Sequence, residues 1–199
     1  MKNTNSLRVG IGRWLYLKNI YIIGVPRSGK TTLAKLIKEK FNNVNQVSFE
    51  AIRNGFIKTM PELDMGNRNS EARLNILPEF IVEFVKWNSE ITKCSTLIEG
   101  SFISVSKLMS LVDKEDIVIC LGHGRKSLNE IIDNVIKYDT NNDYTKEWSK
   151  ERLEKHFYDI EKKDEDNFSD CLKYGINYYD TTKRNNSLNE IIAYLESVL

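Results

Sequence analysis

The sequence predicts an α/β fold in which a parallel β-sheet is covered on both faces by helices. Short runs of apolar, β-branched residues alternate along the chain with longer segments that have helical spacing. Parallel strands need helical crossovers between them, and such crossovers cover both faces of the sheet. At 199 residues the chain is suited to one domain with a full hydrophobic core.

The element pattern predicts five strands, at residues 20–23, 44–49, 96–98, 116–121 and 176–179. Helices are predicted after the first strand, at 78–91, 105–112 and 127–136, at about 150–163 with a second through 172, and from residue 187 onward. Ser127 with Glu130, and Ser187 with Glu190, match the capping box that begins a helix. The polar segments 54–73 and 139–150 predict irregular connections.

The residues from Gly24 to Thr31 fit the pattern G-x-x-x-x-G-K-[ST] of the phosphate-binding P-loop. A strand precedes this loop and a helix follows it, so backbone N–H groups and the helix dipole act on one point and attract a polyphosphate. We expect Lys30 to reach the β- and γ-phosphates and the Thr31 hydroxyl to bind magnesium, with ATP as the nucleotide. The residues predicted to bind the nucleotide are Gly24, Arg27, Ser28, Gly29, Lys30, Thr31 and Thr32.

Glu99 ends the third predicted strand, where a P-loop protein keeps its Walker B acid. A carboxylate at this position holds Mg²⁺ directly or through water. An acid that merely faces solvent at a strand end is the alternative interpretation. We predict that Glu99 acts in catalysis and binds the metal together with Thr31.

Glu50 and Arg53 follow the second strand and form the predicted start of an acceptor site. Glu50 is placed to orient or deprotonate an attacking hydroxyl, and Arg53 is placed to bind an anionic acceptor. A surface ion pair between residues three apart is an equally good interpretation. Arg68 and Arg73 lie in a predicted acceptor-binding flap, residues 54–76, where arginine suits a carboxylate or phosphate.

A lid over the phosphates is predicted within residues 123–152. The candidate lid residues are Arg125 and Lys126, which follow Gly124, and Arg152, which follows the polar segment. The sequence does not choose among them.

These motifs together resemble the nucleoside-monophosphate-kinase-like branch of P-loop proteins, which includes adenylate, shikimate and gluconate kinases. The resemblance spans residues 19–199 and implies a five-stranded parallel sheet in the order 2-3-1-4-5, magnesium-ATP as phosphoryl donor, and a mobile lid. Glu50 matches the acid that meets the acceptor hydroxyl in shikimate-kinase-like enzymes. Ser48 stands where those enzymes place a magnesium-linked acid, and residues 139–150 lack an arginine-dense lid.

The leading functional hypothesis is an ATP-dependent kinase that phosphorylates a small molecule, nucleotides and nucleosides being among the acceptors considered. A nucleotide-binding switch or slow ATPase that acts through a protein partner is the alternative, and a toxin-like or antibiotic-modifying phosphotransferase is a third hypothesis. A GTPase is disfavoured, because the sequence has no Asn-Lys-x-Asp guanine signature.

Composition restricts the partners that we expect. The formal net charge of +1 gives no strong signal for nucleic acid, and no apolar run approaches the length of a membrane span. The three cysteines lie far apart and have no metal-binding or redox spacing, which favours a cytoplasmic protein. Residues 1–18 are predicted to form an N-terminal arm or an extra edge strand.

Overall fold

The computed structural model describes residues 17–101, 103–124, 126–141, 143 and 145–199, with the backbone alone at 183–185. The predicted arm or edge strand at residues 1–18 therefore lies, except for its last two residues, outside the described residues.

Five parallel strands form one sheet in the order β2-β3-β1-β4-β5, which confirms the predicted fold. The strands are β1 (Ile20–Gly24), β2 (Val44–Ser48), β3 (Ser95–Glu99), β4 (Ile117–Gly122) and β5 (Asn177–Asp180). Ser48 lies opposite Glu99, and Gly24 lies opposite Leu121, at the carboxyl edge of the sheet. Ligands of such sheets bind at this edge.

Eight α-helices connect or flank the strands in the described part of the chain. They are α1 (Lys30–Lys40), α2 (Phe49–Thr59), α3 (Leu77–Thr92), α4 (Val105–Met109), α5 (Leu128–Tyr138), α6 (Lys150–Phe157), α7 (Ile160–Tyr174) and α8 (Arg184–Val198). Short 3₁₀ turns lie at Pro61–Leu63 and Thr181–Lys183, and a π-helical turn at Ala72–Ile76 leads into α3. None of the described helices is both long and apolar enough to span a bilayer.

Alternate residues of β1 enter two hydrophobic layers on opposite faces of the sheet. Tyr21 and Ile23 pack with apolar residues of α3 and α4, whereas Ile20 and Ile22 pack with those of α1 and α8. All four side chains are fully buried. The prediction that helices cover both faces is therefore confirmed.

The sequence prediction was wrong about the segment after β2, because α2 begins at Phe49 and continues to Thr59. The predicted strand 44–49 ends one residue early, and the irregular segment predicted from residue 54 is helical at its start. The Ser48 hydroxyl accepts a hydrogen bond of 3.2 Å from the Ala51 N–H and caps the helix. Phe49 is buried in the core, and Ile52 packs against the same cluster.

The two predicted capping boxes had different outcomes. The Glu130 carboxylate accepts the Ser127 N–H at 3.0 Å, so α5 begins as predicted. The terminal helix instead begins at Arg184, before the second box. The Ser187 hydroxyl, in the first turn of α8, donates to the carbonyl of Asp180 at the end of β5.

Candidate nucleotide and acceptor site

The carboxyl edge of the sheet opens into a cleft of about 1160 Å³. The P-loop lines one part of it, and residues of α2, the 68–74 segment and α7 line another. Glu50 follows β2, which is two strands from β1 in the sheet. Since neighbouring strands lie about 4.8 Å apart, the end of β2, where Glu50 follows, lies roughly 10 Å from the end of β1, where the P-loop follows.

The first P-loop glycine lies against β4 so closely that no side chain fits. A Cβ atom at Gly24 would lie 1.9 Å from the Leu121 carbonyl oxygen, and its φ of 133° is open only to glycine. The next residue continues this contact, since the Val25 N–H donates to the same carbonyl at 3.2 Å. The start of the P-loop is therefore fixed against the sheet.

Lys30 begins α1 and is only 7% exposed. Its ammonium donates to the Val25 carbonyl at 2.6 Å and lies 3.5 Å from the Ser28 hydroxyl. Burial lowers the pKa of Lys30 to about 8, although Glu99 nearby favours the charged form. The ammonium is thus held inside the loop that would surround the phosphates.

Thr31 and Glu99 are brought together, as predicted for a shared metal site. The Thr31 hydroxyl donates to Glu99 Oε1 at 3.1 Å. Hydroxyl and carboxylate oxygens are the ligand types that Mg²⁺ prefers, and Mg²⁺ commonly takes its remaining ligands from nucleotide phosphates and water. The two oxygens of Thr31 and Glu99 thus fit a magnesium ion that takes its other ligands from a nucleotide and water. The described residues form no cluster of three or more acidic, His or Cys side chains that could hold a metal ion.

Arg27, predicted to bind the nucleotide, joins the P-loop to the segment after α5. Its guanidinium forms ion pairs with both Asp139 and Asp143. Asp139 also accepts a 2.9 Å hydrogen bond from the Thr145 hydroxyl, and the Arg27 pairing holds the pKa of Asp143 well below its usual range. Asp139, Asp143 and, through Asp139, Thr145 are thereby attached to the P-loop.

A buried carboxylate on α7, which the sequence prediction missed, organises the turn after β4. Asp164 is 1% exposed and accepts the His123 N–H at 2.7 Å and the Tyr178 hydroxyl at 2.9 Å. The His123 ring donates from Nε2 to the Pro26 carbonyl at 3.0 Å. Asp164 therefore connects α7 to the P-loop through the turn after β4. The contact is close, because a Cβ atom at Gly122 would lie 2.1 Å from the Asp164 carboxylate.

The predicted acceptor residues Glu50, Arg53, Arg68 and Arg73 all line the same cleft as the P-loop. Glu50 and Arg53 form an ion pair of 2.5 Å. The guanidinium groups of Arg53 and Arg73 lie 6.0 and 5.3 Å from the centre of the Phe49 ring. The surface ion pair therefore exists, and both of its members line the cleft, while their role in binding an acceptor stays a prediction.

Helix α7 contributes a row of polar residues to this cleft that the sequence prediction did not identify. Lys163, Asp166, Asn167 and Asp170 all line it. Helical spacing of three and four residues places them on one face. No motif marks them in the sequence, since charged residues occur all along this helix.

The predicted lid residues lie apart from the cleft or outside the described residues. Arg125 lies outside the described residues. Lys126 and Arg152 are not among the described residues that line the cleft, and the Arg152 guanidinium lies 4.0 Å from the centre of the Trp148 ring. Their role in a lid stays a prediction.

Comparison with known proteins defines the fold of this chain. Neither a protein-family model nor a curated protein matches the sequence. Shikimate kinase from Bacteroides thetaiotaomicron is similar in structure, with a TM-score of 0.53 and 15% identity over 90% of this chain and 98% of that one. The chain therefore has the fold of the P-loop kinases, which confirms the resemblance at that level.

Two further solved structures are more distantly similar. A sugar kinase from a Janibacter species has a TM-score of 0.45 and 14% identity, over 63% of this chain and 69% of that one. The tunicamycin resistance protein of Deinococcus radiodurans has a TM-score of 0.44 and 14% identity, over 81% of this chain and 97% of that one.

Proposed function

We propose that this protein is an ATP-dependent kinase that transfers the γ-phosphoryl group to a hydroxyl of a small molecule. One observation carries the proposal: a single cleft contains both the P-loop with Lys30 and, on α2, the acid Glu50 beside Arg53. The P-loop kinase fold supports the same class of reaction. A cytoplasmic location is part of the proposal, because the three cysteines are reduced.

The P-loop would bind the triphosphate of ATP through its backbone N–H groups and the start of α1. Lys30 would turn its ammonium from the Val25 carbonyl toward the phosphates and offset the charge that develops during transfer. Thr31 and Glu99 would hold a magnesium ion, which neutralises phosphate charge when it is bound.

Glu50 would orient the acceptor hydroxyl and accept its proton as the phosphoryl group arrives. Its carboxylate is exposed to the cleft and held by Arg53, so it is available to a ligand in a defined position. Phosphoryl transfer depends chiefly on positioning and electrostatic stabilisation, and these residues supply both.

The direct test is ATP consumption with and without a panel of small-molecule acceptors. We expect stimulation by at least one acceptor, and a fall of about 10²–10³-fold in that rate for Lys30→Ala, because an electrostatic group at the transferred phosphate is lost. Lys38→Ala, at an exposed position of the same helix, is the matched control and should retain the wild-type rate.

Two results would contradict the proposal. A Lys30→Ala protein that consumes ATP at the wild-type rate would show that the P-loop does not carry the activity. A very slow rate that no acceptor stimulates would instead favour the alternative, a nucleotide-binding switch or slow ATPase that acts through a protein partner.

A further inference from the structure

The cleft region between α2, the 68–74 segment and α7 contains cations that form no ion pair within the described part of the chain. Among the described residues, no carboxylate lies within 4.0 Å of the charged nitrogens of Arg68, Arg73 or Lys163. Arg73 Nη1 and Arg53 Nε are buried and have no hydrogen-bond partner among the residues that the structure describes. Buried polar groups are nearly always paired, so these two donors call for a partner outside the chain.

These cations face a common volume. Desolvation lowers the pKa of Arg73, and the nearby Arg53 and Arg68 lower it further. Desolvation likewise lowers the pKa of Lys163, with added repulsion from Arg68 and Arg73. Each of the four residues lines the cleft, so an anion placed among them would interact with several positive charges at once.

Asn167, on the same helix as Lys163, provides a second observation. It lies one helical turn after Lys163, lines the cleft and is only 5% exposed. No hydrogen bond joins its side-chain amide to any described residue. Because Asp164 binds the turn after β4, α7 is fixed with Lys163 and Asn167 toward the cleft.

We propose that Arg53, Arg73, Lys163 and Asn167 form a binding site for an anionic group of the acceptor, a phosphate or a carboxylate. This inference rests on the proposed kinase function and deepens it. The acceptor is then an anionic small molecule, and neutral nucleosides, neutral sugars and neutral antibiotics are poor substrates.

Two carboxylates in the same cleft define the rest of the acceptor. Asp166 and Asp170 line it from α7 beside Asn167, and neither is paired with the cations described above. A carboxylate accepts hydrogen bonds from hydroxyl groups and repels a second anion. The site therefore suits a molecule with hydroxyl groups around a single anionic end, such as a phosphorylated or carboxylated polyol.

Direct binding of inorganic phosphate tests the anion site without any ATP turnover. Isothermal titration of phosphate into the protein saturated with magnesium-ADP should reveal saturable binding. Arg73→Gln and Lys163→Gln should each weaken this binding by about tenfold or more, since each removes a charged donor. Lys162→Gln, the exposed neighbour on α7, is the matched control and should bind phosphate as the wild type does.

Two further arms identify the anion and its position. Phosphate bound among the P-loop groups would be lost in Lys30→Ala and kept in Arg73→Gln, whereas the proposed site predicts the opposite pattern. Acetate should compete with phosphate if the natural anion is a carboxylate, and should not compete if the site is specific for phosphate. Thermal unfolding shows whether each variant is folded. If Arg73→Gln does not fold, Lys163→Gln alone provides the test of the anion site.

The absence of saturable phosphate and acetate binding, or equal binding by the wild type, Arg73→Gln and Lys163→Gln, would overturn the inference. Neither result depends on catalysis, so the kinase proposal would still stand on its own test. Conversely, anion binding with no acceptor-stimulated ATP consumption would support the anion site and contradict the kinase.

Discussion

The P-loop region and the proposed acceptor region, which is the part of the cleft lined by α2, the 68–74 segment and α7, differ in how their polar groups are satisfied. In the P-loop region, Lys30 bonds to a loop carbonyl, Thr31 to Glu99, and Arg27 to two aspartates. In the acceptor region, Arg73 and Lys163 have no counter-ion among the described residues. From this difference we infer that the protein alone organises the proposed nucleotide site, whereas a ligand would complete the proposed acceptor site.

The largest effect on stability should come from Asp164, which belongs to the organised region. Asp164→Ala leaves the His123 N–H and the Tyr178 hydroxyl without their acceptor in a buried place, and we expect a loss of about 3 kcal/mol in the free energy of unfolding. Urea denaturation measures this loss.

Asp166→Ala is the matched control on the same helix. Asp166 is exposed to the cleft, so its removal should change the free energy of unfolding by less than about 0.5 kcal/mol. Equal losses for the two variants would show that Asp164 does not organise the turn after β4.

A smaller effect should follow from Asp139→Asn, which removes one of the two ion pairs of Arg27. The asparagine amide oxygen can still accept the Thr145 hydrogen bond, but the negative charge that pairs with Arg27 is lost. We expect the free energy of unfolding to fall by about 1–2 kcal/mol, because the ion pair is largely removed from solvent. Hydrogen exchange of amides in residues 145–148 should accelerate, since the attachment of Thr145 to the P-loop through Asp139 weakens.

The exposed Asp133 on α5 provides the comparison for this variant. Asp133→Asn should leave exchange in residues 145–148 at the wild-type rate. Unchanged exchange in Asp139→Asn would contradict the role assigned to Arg27 in attaching this segment.

The smallest effect on stability is expected in the acceptor region itself. Arg73→Gln removes repulsion with Arg53 and Arg68 but also the contact with the Phe49 ring, so the free energy of unfolding should change by less than about 0.5 kcal/mol. Added phosphate should raise the melting temperature of the wild type more than that of this variant. A large loss of stability in Arg73→Gln would show that the arginine is structural.

The sequence predicts the fold, and the contact between the P-loop and Glu99, because their signals are local. A P-loop has fixed spacing between its glycine and lysine, and the acid Glu99 ends an apolar run that can be recognised as a strand. The start of α2 was missed although Ser48 and the spacing of Phe49, Ile52 and Phe56 indicate a capped, amphipathic helix.

The contribution of α7 could not be predicted in the same way. Acidic and basic residues occur on all sides of this helix, so the sequence does not distinguish the buried Asp164 from the exposed Lys162 or Asp166. Only the packing of α7 against the turn after β4 fixes which side faces the cleft. Lys163 and Asn167 become candidates once that orientation is known.

Transfer from γ-labelled ATP tests most directly whether this cleft joins a phosphoryl donor to an anionic acceptor. The label should be followed into products with matched acceptors: ribose, ribonate and ribose 5-phosphate. The account predicts transfer to an anionic member at least about tenfold faster than to ribose, because Arg73 and Lys163 bind the charge. Label recovered only as inorganic phosphate, or transferred equally to ribose, would contradict it.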